Sequence, residues 1–229
     1  MLSSSGQSAA FVGRILHAYL NLVRRTTRFR PTIPGACPWE RGREPFIALT
    51  WHGQCMLCLA ALEGSPPIAI PTSLRFGGAA VACAAELAGL RAIHGSDRQN
   101  LSKVQTERTG SALFEMRNAL RDGVSVVLAA DMPGASCMAG KGAVQLARLS
   151  GRPIYLFAAV TSARFDLDQR GRASIALPFG RGCILWSEPL YVRKRADDAE
   201  IELIAMDVAE RLDDLHASAC QALARRRWA

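Results

Sequence analysis

Short apolar runs alternate with longer stretches of helical periodicity along most of the chain. Residues 46–50, 68–70, 124–129 and 153–160 are rich in Ile, Val, Leu, Ala and Phe, the pattern of strands buried on both faces. Residues 90–94 read as a further short strand. Between the runs, residues 53–62, 78–88, 109–121 and 142–149 read as helices, the last two closed by Gly123 and by Ser150-Gly151. This alternation predicts an α/β fold with a mostly parallel central sheet flanked by helices. Further on, residues 173–177 and 183–185 read as strands flanking the turn Pro178-Phe179-Gly180, and residues 198–227 as a charged carboxy-terminal helix.

The amino-terminal part has a different pattern. Residues 1–8 are polar, and residues 9–30 have the period of an amphipathic helix with Phe11, Ile15, Tyr19, Leu22 and Val23 on one face. Arg24, Arg25, Arg28 and Arg30 crowd its end, where cations complement the helix dipole. Two readings fit and are compatible: a helix docked on the domain, and a helix lying in a membrane interface. Six Pro and Gly residues between positions 31 and 45 mark a linker. The expected organisation is a helix and Pro-rich linker over residues 1–45, followed by an α/β unit over residues 46–229.

Composition narrows the function classes. The chain has 229 residues, of which 49% are hydrophobic and 21% charged, enough to bury a sizeable core. A formal net charge of +8 favours anionic partners such as a phosphorylated or carrier-bound substrate or an anionic membrane face. The basic residues are dispersed and lack interleaved aromatics, so nucleic acid is not expected as a partner. Seven scattered cysteines fit buried, reduced thiols in a cytoplasmic protein. Cys55-Met56-Leu57-Cys58 has the spacing of a redox pair or half a zinc site; with no second pair of ligands, a helix burying small side chains is the favoured reading, and no metal is expected. The longest apolar stretch, residues 46–62, is broken by His52 and Gln54, so no transmembrane helix is expected. There is no signal-peptide pattern.

In a parallel sheet, polar residues just beyond the carboxyl ends of strands face the ligand crevice. Trp51-His52-Gly53 follows the strand at 46–50, and the near-neutral imidazole of His52 suits general-base chemistry. On spacing alone, a hydrogen-bonded structural His is the better reading. Asp131-Met132-Pro133-Gly134 follows the strand at 124–129; Asp131 is either a turn former or a paired carboxylate. His94-Gly95-Ser96-Asp97-Arg98 offers a hydroxyl and a cation for a phosphate, or is a plain polar loop. Gly134 to Lys141 is not a nucleotide phosphate loop: five residues separate Gly134 from Gly140, and Gly142 stands where Ser or Thr is required. No GxSxG elbow is present.

The order of these segments is more specific than any one of them. Trp51-His52-Gly53 is followed by Ser73-Leu74-Arg75-Phe76-Gly77-Gly78, His94 to Arg98, Leu113 to Met116 and Asp131 to Gly134. Ala147 to Ile154, Leu177-Pro178-Phe179-Gly180-Arg181 and Ser187-Glu188-Pro189-Leu190 complete the series. Over roughly residues 45–192 this set resembles the lysophospholipid-acyltransferase superfamily, and most of all a bacterial branch with WHG and PDGP-type signatures.

The resemblance implies transfer of a fatty acyl group from acyl-CoA or acyl-carrier protein, as co-substrate, to a hydroxyl of a lipid or lipid precursor. It implies no other cofactor. His52 matches the superfamily's base, but Leu57 stands where that pattern has its orienting Asp. Asp131 is the candidate replacement, or else an acceptor-binding group. Arg98 matches the region that binds an acceptor phosphate; Ser96, Arg75 and Gly134 complete the candidate substrate contacts. The Asp131-Met132-Pro133-Gly134 run lacks the branch's Arg in that loop. The location implied is peripheral, on the inner face of the cell membrane. Two other readings stay open: a non-catalytic lipid- or acyl-binding protein on the same fold, and a thioester hydrolase.

Overall fold

A computed structural model describes residues 4–29, 37–42, 44–73, 76–95, 104–130, 141–167 and 174–224. The chain opens with helix α1 (Ser4–Thr26), a two-residue strand β1 (Arg28–Phe29) and a single turn α2 (Pro38–Arg41). Strand β2 (Ile47–Thr50) leads into a 3-10 helix (His52–Leu57) that continues as α3 (Cys58–Ala61). Then come β3 (Ile68–Ser73), α4 (Phe76–Leu87), β4 (Arg91–Gly95), α5 (Val104–Arg121) and β5 (Ser125–Ala129). Helix α6 (Lys141–Ser150), β6 (Ile154–Thr161), β7 (Arg164–Asp166), β8 (Ser174–Ala176), β9 (Arg181–Trp186) and α7 (Asp198–Ala224) complete the order.

Seven strands form one sheet in the order β1-β9-β6-β2-β5-β3-β4. All neighbours are parallel except β6 and β9. The expected α/β fold with a mostly parallel sheet flanked by helices is what forms. Every residue of β2 and β6 is buried, so alternate residues sort onto two helical layers. Ile47, Leu49, Ile154 and Leu156 pack under α5, α6 and α7, whereas Phe46, Ala48, Tyr155 and Phe157 pack with α3 and an aromatic group around Trp39 and Trp186. Gly123 and Gly151 adopt positive φ (84° and 71°) after α5 and α6, closing those helices as their sequence position implies.

The structure corrects several local expectations. Within residues 31–45, α2 forms because Pro38 at its first turn fixes a helical φ and Trp39 stacks edge-on against Trp186, with ring centroids 5.6 Å apart. Helix α1 begins at Ser4 and stops at Thr26, and Arg28–Phe29 joins the sheet beside β9. The strands expected to flank Pro178-Phe179-Gly180 form, as β8 and β9, and they belong to different sheets: β8 pairs with β7, and β9 pairs with β6. Gly180 is held against Ala163, where an added Cβ would lie 3.0 Å from the Ala163 backbone nitrogen, so the chain changes sheets at that turn.

The buried face of α1 is also not the expected one. Ala9, Gly13, Val23 and Thr27 are buried, while Phe11, Ile15 and Leu22 are exposed. The cause is close packing of α1 on α4: a Cβ on Gly13 would stand 2.6 Å from Cys83 Cβ and 2.7 Å from Ala80 O. Small residues let the helix backbones approach, and the large apolar residues are left outside. Tyr19 keeps its place near the sheet, donating from its hydroxyl to Ala176 O at 2.7 Å.

Candidate functional site

Helices α3 and α6 follow the adjacent strands β2 and β5, and they cover opposite faces of the sheet. Neighbouring parallel strands whose connections diverge in this way leave a crevice at their carboxyl ends, the usual ligand position in an open α/β sheet. Thr50 lies opposite Ala129 in the register, and the Ala130 amide donates to Thr50 O at 2.8 Å. His52 is the second residue beyond Thr50 and is exposed at this end of the sheet.

Local sequence sets the turn. Trp51 is extended (φ −65°, ψ 141°) and buried with Ile47 and Leu49, pinning the chain as it leaves the sheet. Its carbonyl accepts from the Gln54 amide at 3.0 Å, which starts the 3-10 helix. Leu57, in the position where the superfamily pattern has Asp, is buried in a cluster with Val23, Ala159 and Ala176. No acid therefore approaches His52 from that position.

Of the other sequence-derived site residues, Asp131 and Gly134 lie outside the described residues, as do Arg75, Ser96 and Arg98. The segments that lead to them do end together: Thr72 pairs with His94 and Ser73 with Gly95 at the carboxyl ends of β3 and β4, on the same edge of the sheet as Thr50 and Ala129.

Two polar residues at this turn escaped the sequence reading. Thr50 is fully buried and Gln54 is 2% exposed; the Thr50 hydroxyl and both side-chain amide atoms of Gln54 have no hydrogen-bond partner among the described residues. An unsatisfied buried polar group costs about 1–3 kcal/mol, so these atoms call for a polar complement from beyond the described residues. Gln54 inside an otherwise apolar stretch was the available signal. Cys58 packs in the core, where a hydrogen bond with Cys55 and burial push its thiol well above the usual thiol range. Among the described residues no group of three or more His, Cys, Asp or Glu is placed to hold a metal ion.

A cavity of about 590 Å³ lies elsewhere, between α1 and the turns before β3 and β4, at the opposite end of the sheet from His52. His17 and Asn21 line it; Asn21 Nδ2 lies 2.7 Å from His17 Nε2, and His17 Nδ1 lies 3.3 Å from Ala84 O. It contains none of the sequence-derived site residues. Among the described residues no helix is long and apolar enough to cross a membrane.

No protein family and no curated protein matches the chain by sequence. The architecture is that of an acyltransferase-type α/β fold. In particular, the chain is similar to the crystal structure of the 1-acyl-sn-glycerophosphate (LPA) acyltransferase PlsC from Thermotoga maritima. The TM-score is 0.54 and the identity 14%, over 98% of this chain and 86% of that one. At that identity the likeness is one of fold.

Proposed function

We propose that the chain is an acyltransferase that moves a fatty acyl group from acyl-CoA or acyl-carrier protein to a hydroxyl of a lipid or lipid precursor. The observation that carries this reading is the position of exposed His52 just beyond the carboxyl end of β2, beside β5, on a fold similar to that of an acyltransferase. His52 takes the acceptor's hydroxyl proton as that oxygen attacks the thioester carbonyl. The tetrahedral intermediate then collapses, the carbon–sulfur bond breaks, and the leaving thiolate recovers the proton from the imidazolium. The products are an ester and a free thiol. A neutral imidazole needs its second nitrogen held by an acceptor. Leu57 supplies none, and Asp131 is proposed for that role because Ala130 is hydrogen-bonded to Thr50 beside the His52 turn. Arg98, Arg75 and Ser96 are proposed to grip an acceptor phosphate, and Gly134 to lie against substrate. The exposed Phe11, Ile15 and Leu22 of α1, near Arg14 and Arg25, are proposed to rest on an anionic membrane at the inner face of the cell membrane.

The test is thiol release from acyl-CoA and acyl-carrier protein in the presence of a lipid extract, with products read by mass. A lipid gaining one acyl chain is the expected product. His52→Ala is expected to lower turnover by about 10²–10⁴-fold, and Asp131→Asn to lower it strongly. Full turnover in Asp131→Asn removes that residue from the site. Free fatty acid as the sole product makes the protein a thioester hydrolase. Lipid binding that survives His52→Ala, with no thiol released from any donor, makes it a binding protein.

A further inference from the structure

The end of the sheet that carries His52 is not level. Leu49 pairs with Leu156, so Thr50 stands beside Phe157, and β6 continues four residues further to Thr161. That overhang is about 13 Å at the rise of an extended chain. Strand β9 begins there, with Gly182 opposite Thr161, and the β7–β8 hairpin rises beside it. Strand β8 also packs on the 3-10 helix that starts at His52. The crest of this wall is apolar and exposed. Phe179 is 81% exposed and Phe165 63%, with Leu167 and Leu177 exposed beside them.

Phe179 is moreover the one non-glycine residue with positive φ (64°) among the described residues. Its amide donates to Thr26 Oγ1 at 3.1 Å, and Pro178 and Gly180 fix the chain on either side. The backbone is thus held in a disfavoured conformation that turns an aromatic ring outward. Cations lie on the adjoining chain. The register sets exposed Arg28 beside exposed Arg181, and exposed Arg25 precedes Thr26. Among the described residues of the hairpin, the acid Asp166 is engaged by Arg164 at 2.8 Å.

We infer that this crest is a second membrane contact: Phe179 and Phe165 enter the interface of an anionic phospholipid bilayer while Arg25, Arg28 and Arg181 meet the lipid phosphates. Exposed apolar rings with guanidinium groups on the adjoining chain are complementary to that surface. The contact would set the His52 turn at the level from which a lipid acceptor leaves the bilayer. The choice of a lipid partner rests on the acyl-transfer reading; the surface itself rests on the exposed residues and their charges.

The experiment is co-sedimentation of the full chain with vesicles of phosphatidylcholine alone or mixed with phosphatidylglycerol, without acyl donor. Binding is expected to rise with phosphatidylglycerol content. Phe165→Ser combined with Phe179→Gly is expected to lower it about tenfold or more. Phe179→Gly alone is expected to keep or raise the melting temperature, because glycine accepts the positive φ, so weaker binding in that variant is not misfolding. Arg28→Gln with Arg181→Gln is expected to flatten the dependence on anionic lipid. Undiminished binding of the aromatic variants overturns the inference, as does equal binding to both vesicle types. A dimer in sedimentation velocity that Phe179→Gly converts to monomer also overturns it, making a second copy the occupant. Crest-dependent binding with no thiol release sinks the acyl-transfer reading and leaves the surface standing. Thiol release with crest-independent binding does the reverse.

Discussion

Helices α1 and α7, of 23 and 27 residues, cover opposite faces of the same sheet and use their apolar residues in opposite ways. Helix α7 buries Ile201, Val208, Leu212 and Leu223, and its outer face is mostly charged or small, with Leu203 and Met206 exposed near its start. Helix α1 buries Ala9, Gly13 and Val23 and leaves Phe11, Ile15 and Leu22 in solvent. For α7 the hydrophobic pattern from Val208 onward is accounted for within the fold. For α1 it is not, and the remainder is surface available to something outside the chain.

Three experiments break or sharpen this contrast. The largest effect is expected on the α7 side. Leu212 is fully buried, and Leu212→Ala is expected to cost about 2–5 kcal/mol of stability in urea unfolding, through lost burial and a residual cavity. Gly13→Val comes next. It places a branched side chain where even a Cβ stands 2.6 Å from Cys83 Cβ, and about 1–3 kcal/mol of destabilisation is expected in the same assay. A neutral result there would mean that α1 does not seat on α4 through Gly13. The smallest effect on stability belongs to Phe11→Gln with Ile15→Gln. Both side chains are exposed, so the change is expected to stay within about 0.5 kcal/mol while vesicle binding falls. A loss as large as that of Leu212→Ala would show that the outer face of α1 is covered within the protein.

The same contrast explains what was legible in the sequence. The sheet was readable because β2, β5 and β6 are apolar on both faces, a pattern with few alternatives over four to eight residues. The position of His52 was readable because it follows such a strand directly. The seat of α1 was not, since period reveals a stripe but not whether large residues or small ones meet the partner helix. The partners of β8 and β9 were hidden for a related reason. Their pairing is decided by the close approach of Gly180 to Ala163 and by β6 outrunning β2, both long-range facts. Gln54 was visible as a polar break, but its unsatisfied amide is a property of packing.

Leu57 gives one more consequence. It shares a cluster with Val23 of α1 and with Ala159 and Ala176 of the sheet, and it ends the 3-10 helix that His52 begins. The amino-terminal helix is therefore not a cassette to be trimmed or exchanged at will. Shortening the chain from the front would strip the underside of the turn that carries the imidazole, so α1 and the β2/β5 crevice are expected to be kept, lost or remodelled together.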